Sequence, residues 1–226
     1  MKKASVRSSH SPQRAHVLLE PRKSPVQARS TASVDAILEA TIQVLLSVGK
    51  ERLTTTRVAS RAGVSVGTLY QYFPNKSALL QAVLKLHMDE VTEAVERTCR
   101  EYRGKTVQQM ATGLIAAFFA AKMRDVKTSV ALYAVSSDVD GAKIVQRMGA
   151  QSNKAIVGML ATACEPLTTD LQLVASMLQS AMAGVSRRVL ESDAPEKQFY
   201  ALREELVFFV CAYLDACSVR PPTNRR

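Results

Sequence analysis

Three sets of residues in this sequence have types and spacings that could do chemistry. Gly63-Val64-Ser65-Val66-Gly67 spells G-x-S-x-G, the serine nucleophile elbow, which seats an activated serine on a strand-to-helix turn. Such a serine needs a positioned base. Of the three histidines, His10 and His16 lie in a polar N-terminal stretch, which leaves only His87. The residues before Ser65 follow helical spacing and not strand spacing, so Ser65 serves better as a helix cap, and no catalytic residue is assigned. His87, Asp89 and Glu90 form the second set. They contain no HExxH or comparable ligand pair, and Cys99, Cys164, Cys211 and Cys217 have no CxxC spacing. Neither a metal, a disulfide framework nor a cofactor is expected.

The third set is Thr55, Thr56, Ser65, Val66, Gly67, Thr68, Tyr70, Gln71, Tyr72 and Lys76. Hydroxyls and a lysine at a helix N-terminus suit phosphate oxygens. Small groups at the start of a helix permit close approach to a groove, a threonine or valine methyl can meet a thymine methyl, and Gln71 can pair with adenine.

These residues need two short helices at a fixed angle to hold them. The Thr54-Thr55-Thr56 run can cap a helix that turns Val58, Ala59 and Ala62 inward and ends at Gly63. Ser65 can cap a second, with Leu69 inward, that stops at Phe73-Pro74. Ala59 lets the two helices cross closely, which makes the pair a helix-turn-helix. Helices this short are marginal alone. Longer ones must brace them: Ser33 to Val48, with Val34, Ile37, Leu38, Ile42, Leu45 and Leu46 on one stripe before Gly49, and another opening at Asn75 with Leu79, Leu80, Val83, Leu84 and Val91 inward. Further helices are expected near 104–124, 126–137, 141–163, 168–191 and 195–217. The fold class is therefore all-α, with about nine helices.

Charge supports a polyanionic partner. The net charge is +10, and residues 1–30 carry seven basic residues against one acid, a focused positive field that attracts nucleic acid or an acidic membrane face. No apolar run approaches the ~18 residues of a membrane span, and no apolar segment follows Lys2 and Lys3 as a secretory leader would require. A cytoplasmic protein with no membrane partner is expected. The division read from the sequence is a flexible basic arm over 1–30, a helix-turn-helix domain over 31–80, a helical domain over 81–217 and a short basic tail over 218–226.

Residues 33–80 resemble the DNA-binding domain of the TetR family of transcriptional regulators, in the ordered set Thr55, Ala59, Ala62, Gly63, Val64, Ser65, Gly67, Thr68, Leu69, Tyr70, Tyr72, Phe73 and Lys76. The resemblance implies that Thr55, Thr56, Val66, Thr68, Tyr70, Tyr72 and Lys76 face a double-stranded DNA operator. It also implies a homodimeric repressor whose divergent C-terminal domain binds a small effector.

The last two predicted helices carry a dimer expectation of their own. Leu171, Val174, Leu178 and Val185 stripe the first; Phe199, Leu202, Leu206, Phe209 and Tyr213 stripe the second, which is apolar on its other side as well. An isologous four-helix bundle would cover both sides, and two reading helices would then meet successive major grooves. Phe118, Phe119, Met123, Tyr133, Met148, Met159 and Cys164 are the candidates for lining an apolar or amphipathic ligand's pocket. The competing reading is a helical small-molecule-binding protein or enzyme with a vestigial helix-turn-helix.

Overall fold

The computed structural model describes residues 28–218. Most of the basic arm and of the C-terminal tail lie outside the described residues. The order is α1 (Ala28–Arg52), α2 (Thr55–Ala62), α3 (Val66–Tyr72), α4 (Lys76–Glu101), α5 (Val107–Lys122), α6 (Val126–Val135), a 3-10 turn (Ser136–Asp138), α7 (Gly141–Leu160), α8 (Leu171–Leu190) and α9 (Pro195–Cys217). Among the described residues the sole β feature is an isolated bridge between Leu167 and Ser218.

Most boundaries follow from side chains that satisfy the free amides of a first turn. Thr54, Ser65, Asn75, Asp125 and Asp170 each accept a hydrogen bond from the amide three residues on. Thr106 and Gln109 close a reciprocal capping box on α5. Proline opens α9, where its missing amide costs nothing.

Two differences from the sequence reading concern α1. The helix begins at Ala28, so the last residues assigned to the arm are helical, and Gly49 (φ 76°) breaks the helical path without ending it, since one further turn runs to Arg52. By length and composition alone Ser30–Arg52 could also cross a membrane, contrary to the reading that no segment could. Its Ile37, Leu38, Ala40, Thr41, Val44 and Leu45 are instead buried in a protein core.

There are two cores. The larger joins α4, α5, α7, α8 and α9 around Met110, Leu114, Phe119, Ile156, Val174 and Val210. The smaller joins α1 to α4 around Ile37, Leu53, Val58, Leu69, Phe73 and Leu79, and it also takes in Leu132 and Val135 of α6 and Val139. The helix-turn-helix unit is thus not closed at residue 80: the α4 residues Val83 and Leu84, and α6, complete its core.

Candidate nucleic-acid interface and internal cavity

The helix-turn-helix is built by local chemistry. Gly63 (φ 67°) adopts the left-handed conformation that lets Val64 N donate to Ala59 O at 3.0 Å and seal the end of α2. Ser65 Oγ accepts from Thr68 N at 2.9 Å and lies 2.8 Å from Thr68 Oγ1. With α2 helical before it and this capping role, Ser65 has no elbow geometry. Leu69 and Phe73 are buried between the helices, whereas Gly67, Tyr70 and Gln71 face outward. Tyr70 is 40% exposed and its hydroxyl lies 3.1 Å from Thr55 Oγ1, which ties the middle of α3 to the start of α2.

The ten assigned residues fall into three groups. Thr56, Gly67, Tyr70 and Gln71 are exposed, with Thr55 and Thr68 half-exposed beside them. Ser65 is exposed, but its oxygen is committed to the cap. Val66 and Tyr72 are partly buried against the smaller core. Lys76 is half-buried, and its ammonium donates to the carbonyl of Lys50 at the end of α1. It therefore fastens α4 to α1, a task invisible in the sequence because its partner is a backbone carbonyl 26 residues away.

A cavity of about 500 Å³ lies between α4, α5, α6, α7 and α8, within the ~300–1,000 Å³ usual for small-molecule sites. Phe118, Tyr133 and Met148 line it as the sequence suggested. The other four candidates do not. Phe119 and Met159 are fully buried in the larger core, with Phe119 5.5 Å from the Phe199 ring. Met123 borders a separate cleft with Phe199 and Tyr200. Cys164 is exposed, its Sγ donating to Gly104 O at 3.0 Å. Phe119 follows Phe118 by about 100° around α5, enough to turn it from the cavity into the core. Sequence reading missed Met88, Val91, Lys122, Gln179, Met182 and Arg187 in the wall. One signal was available: Lys122 is the only charged residue of α5.

Near the end of the cavity, α4, α5 and α6 are joined by hydrogen bonds. Ser129 Oγ donates to Lys122 O at 2.5 Å and lies 3.3 Å from His87 Nε2. With its proton spent on that carbonyl, the hydroxyl accepts from the imidazole, which assigns the neutral ring's hydrogen to Nε2. Burial, then the charges of Lys122 and Arg124, depress the His87 pKa to about 4, against a smaller opposing pull from Asp125. At the rim, the Tyr133 hydroxyl donates to Glu191 Oε1 at 2.6 Å, and Arg187 Nε pairs with the same oxygen at 2.9 Å. The tyrosine's pKa rises and the glutamate's falls through that bond. No cluster of metal-ligating side chains occurs among the described residues.

The proposed dimer stripe is corrected in part by burial. Val174, Leu178 and Leu206 are buried inside the protomer, facing α5 and one another. Leu171, Val185, Phe199, Leu202 and Tyr213 are half-buried, and of the nine only Phe209 is largely exposed. Beside Phe209, the outward apolar residues of these helices are Leu173, Met177, Tyr200 and Phe208. An apolar stripe read from sequence is satisfied first by the chain's own core.

Residues 37–83 match the family model described as bacterial regulatory proteins, tetR family, and residues 106–214 match the tetracyclin repressor-like C-terminal domain. The chain belongs to the TetR family. It is a DNA-binding transcriptional regulator, as the family resemblance of residues 33–80 implied. The HTH-type transcriptional repressor KstR of Mycolicibacterium smegmatis is 29% identical over 177 residues, covering 74% of this chain and 83% of that protein. The nucleoid occlusion factor SlmA of Photobacterium profundum is 31% identical over 70 residues, 30% of this chain and 36% of that protein, so the match spans about a third of that relative. The crystal structure of a putative TetR-family regulator from Mesorhizobium loti superposes with a TM-score of 0.71 at 17% identity, covering 85% of this chain and all of that one. At that identity the likeness speaks for the fold.

Proposed function

We propose that this TetR-family regulator is a homodimeric repressor of a near-palindromic operator, released when an apolar or amphipathic effector enters the α4–α8 cavity. The carrying observation is the double role of α6. Its Leu132 and Val135 lie in the core of the reading head, while Tyr133 of the same helix lines the cavity. A ligand that moves α6 therefore repacks the base of the helix-turn-helix, and an effect of that kind opposes DNA binding by ~1–3 kcal/mol of reciprocal coupling.

In this reading Gly67, Thr68 and Gln71 approach base edges. Thr55, Thr56, Tyr70 and Tyr72 contact phosphates, and the half-buried Lys76 adds positive charge beside them. Val66 and Ser65 shape the approach from below. The exposed Leu173, Met177, Phe208 and Phe209 support a bundle of α8 and α9 with a second copy. The relative KstR is by name a transcriptional repressor, which supports repression over activation.

A mobility-shift titration on the DNA flanking the protein's own gene tests the reading. Gln71→Ala should lower specificity and Lys76→Ala should weaken all sequences alike. Unchanged binding in both variants would remove this face from the interface, and no binding by the unmodified chain would favour a helical small-molecule-binding protein with a vestigial helix-turn-helix.

A further inference from the structure

The cavity is apolar over most of its wall, and one half-buried cation interrupts it. Lys122 closes α5, and among the described residues its ammonium has a single hydrogen-bond partner, the Met88 thioether sulfur at 3.7 Å, a weak acceptor. No described carboxylate lies within ion-pair reach of it. The nearby acids are engaged elsewhere: Asp89 pairs with Lys85 at 2.5 Å, Glu90 with Arg124 at 2.5 Å, and Glu191 with Arg187 and Tyr133. Asp125 caps α6, its two oxygens held by the amide and hydroxyl of Thr128. The charged neighbours of His87 are Lys122, Arg124 and, with the opposite pull, Asp125; Arg124 is paired with Glu90, so Lys122 is the one uncompensated charge among the described residues at this end of the cavity. Burial alone pulls the Lys122 pKa below its usual value.

A partly desolvated ammonium without a counter-ion carries a cost in the empty protein, and the cost is relieved by whatever anion reaches it. The remaining polar groups of the wall, such as Gln179 and Ser186, are neutral. The other cation of the wall among the described residues, Arg187, stands at the exposed rim and is already paired with Glu191. One uncompensated positive charge calls for one negative charge, and a dianionic phosphate would bury a charge with no partner. From the lone ammonium and the apolar volume around it, we infer that the cavity takes a monoanionic amphiphile, its carboxylate on Lys122 Nζ and its hydrocarbon chain against Met88, Val91, Phe118, Met148 and Met182. The inference rests on the proposed effector role of this cavity and names the chemical class of its ligand.

Calorimetric titration of the full chain, without DNA, tests it with three probes of equal chain length: dodecanoate and dodecyltrimethylammonium, each below its micellar concentration, and dodecanol below its solubility limit. Dodecanoate should bind about 10- to 100-fold more tightly than dodecanol, the range set by a charge-assisted hydrogen bond, and the ammonium probe should bind most weakly. Lys122→Met should bring dodecanoate down to the level of dodecanol while leaving dodecanol unchanged, and Lys122→Arg should keep the preference for the anion. Equal binding of acid and alcohol to the unmodified chain, or an undiminished preference in Lys122→Met, would overturn the assignment. The comparison on the unmodified chain decides the matter even if the methionine variant fails to fold. Because no DNA is present, these outcomes bear on the ligand class alone. Tight dodecanoate binding that leaves a mobility-shifted DNA complex intact would count against the effector role instead.

Discussion

Phe208 is the most exposed of the large apolar side chains on the outer face of α8 and α9, at 73% of its surface. A phenylalanine offers roughly 200 Å², so about 150 Å² of it meets water in the isolated protomer. At ~25 cal/mol per Å² its burial is worth ~3.5 kcal/mol per copy, or ~7 kcal/mol for the two copies related by a twofold axis. Incomplete burial and a compact unfolded reference reduce that figure, while an aspartate facing its symmetry mate adds repulsion. Phe208→Asp should therefore weaken dimerisation by at least ~3 kcal/mol, more than about 100-fold in Kd. The protomer should not notice the change, because the side chain packs against nothing in its own core; surface substitutions of this kind usually stay within ~0.5 kcal/mol. Sedimentation velocity across the low-micromolar range is the assay, with thermal unfolding as the control. A variant that still sediments as the dimer, or an unmodified chain that is itself a monomer, would refute the bundle. Loss of folding would show that Phe208 supports the protomer after all.

Other substitutions probe the reading head and its link to the cavity. Gly63→Ala places a Cβ in open space but forces an alanine into the left-handed region at φ 67°, a strain of ~1–2 kcal/mol that urea unfolding should report as a lower midpoint at unchanged slope. His87 is held neutral with a pKa of about 4, against 6.5 for the free imidazole. Between those values the unfolded chain takes up a proton that the native chain refuses, so stability is lost as the pH falls from 6.5 towards 4. After allowance for solvent screening the loss is ~1–2 kcal/mol. His87→Gln should flatten that part of the stability profile, and a slope unchanged by the substitution would contradict the burial argument. Lys76→Ala, besides weakening DNA binding, should lower the melting temperature, because it deletes the bond from α4 to the Lys50 carbonyl.

The helix-turn-helix was legible because nearly every position in it is dictated by neighbours a few residues away. Thr54, Ser65 and Asn75 cap, Gly63 turns, and Phe73-Pro74 stops. Tertiary context is what the sequence hid. The stripe Leu171, Val174, Leu178 has the right period for a buried face, but period cannot say whether the cover is the protomer's own α5 and α9 or a second copy. The face left outside, at Leu173 and Met177, lies about 100° around the helix for each step of one residue and is narrower, so it did not announce itself. The cavity was half legible for a similar reason. Which of two adjacent phenylalanines lines a void depends on helix rotation, and a void of about 500 Å³ is a property of packing that composition does not carry. Inclusion of α6 in the core of the reading head was likewise out of reach, since Leu132 and Val135 join residues nearly a hundred positions earlier in the chain.

Hydroxyl-radical footprinting of the protein on the DNA flanking its own gene addresses the central claim most directly. The account predicts two symmetric protected patches on one side of the duplex, separated by one helical turn (~10 bp) or a small multiple, which fade as the effector is added. Protection that is absent, follows no sequence, or covers a single unpaired half-site would contradict it.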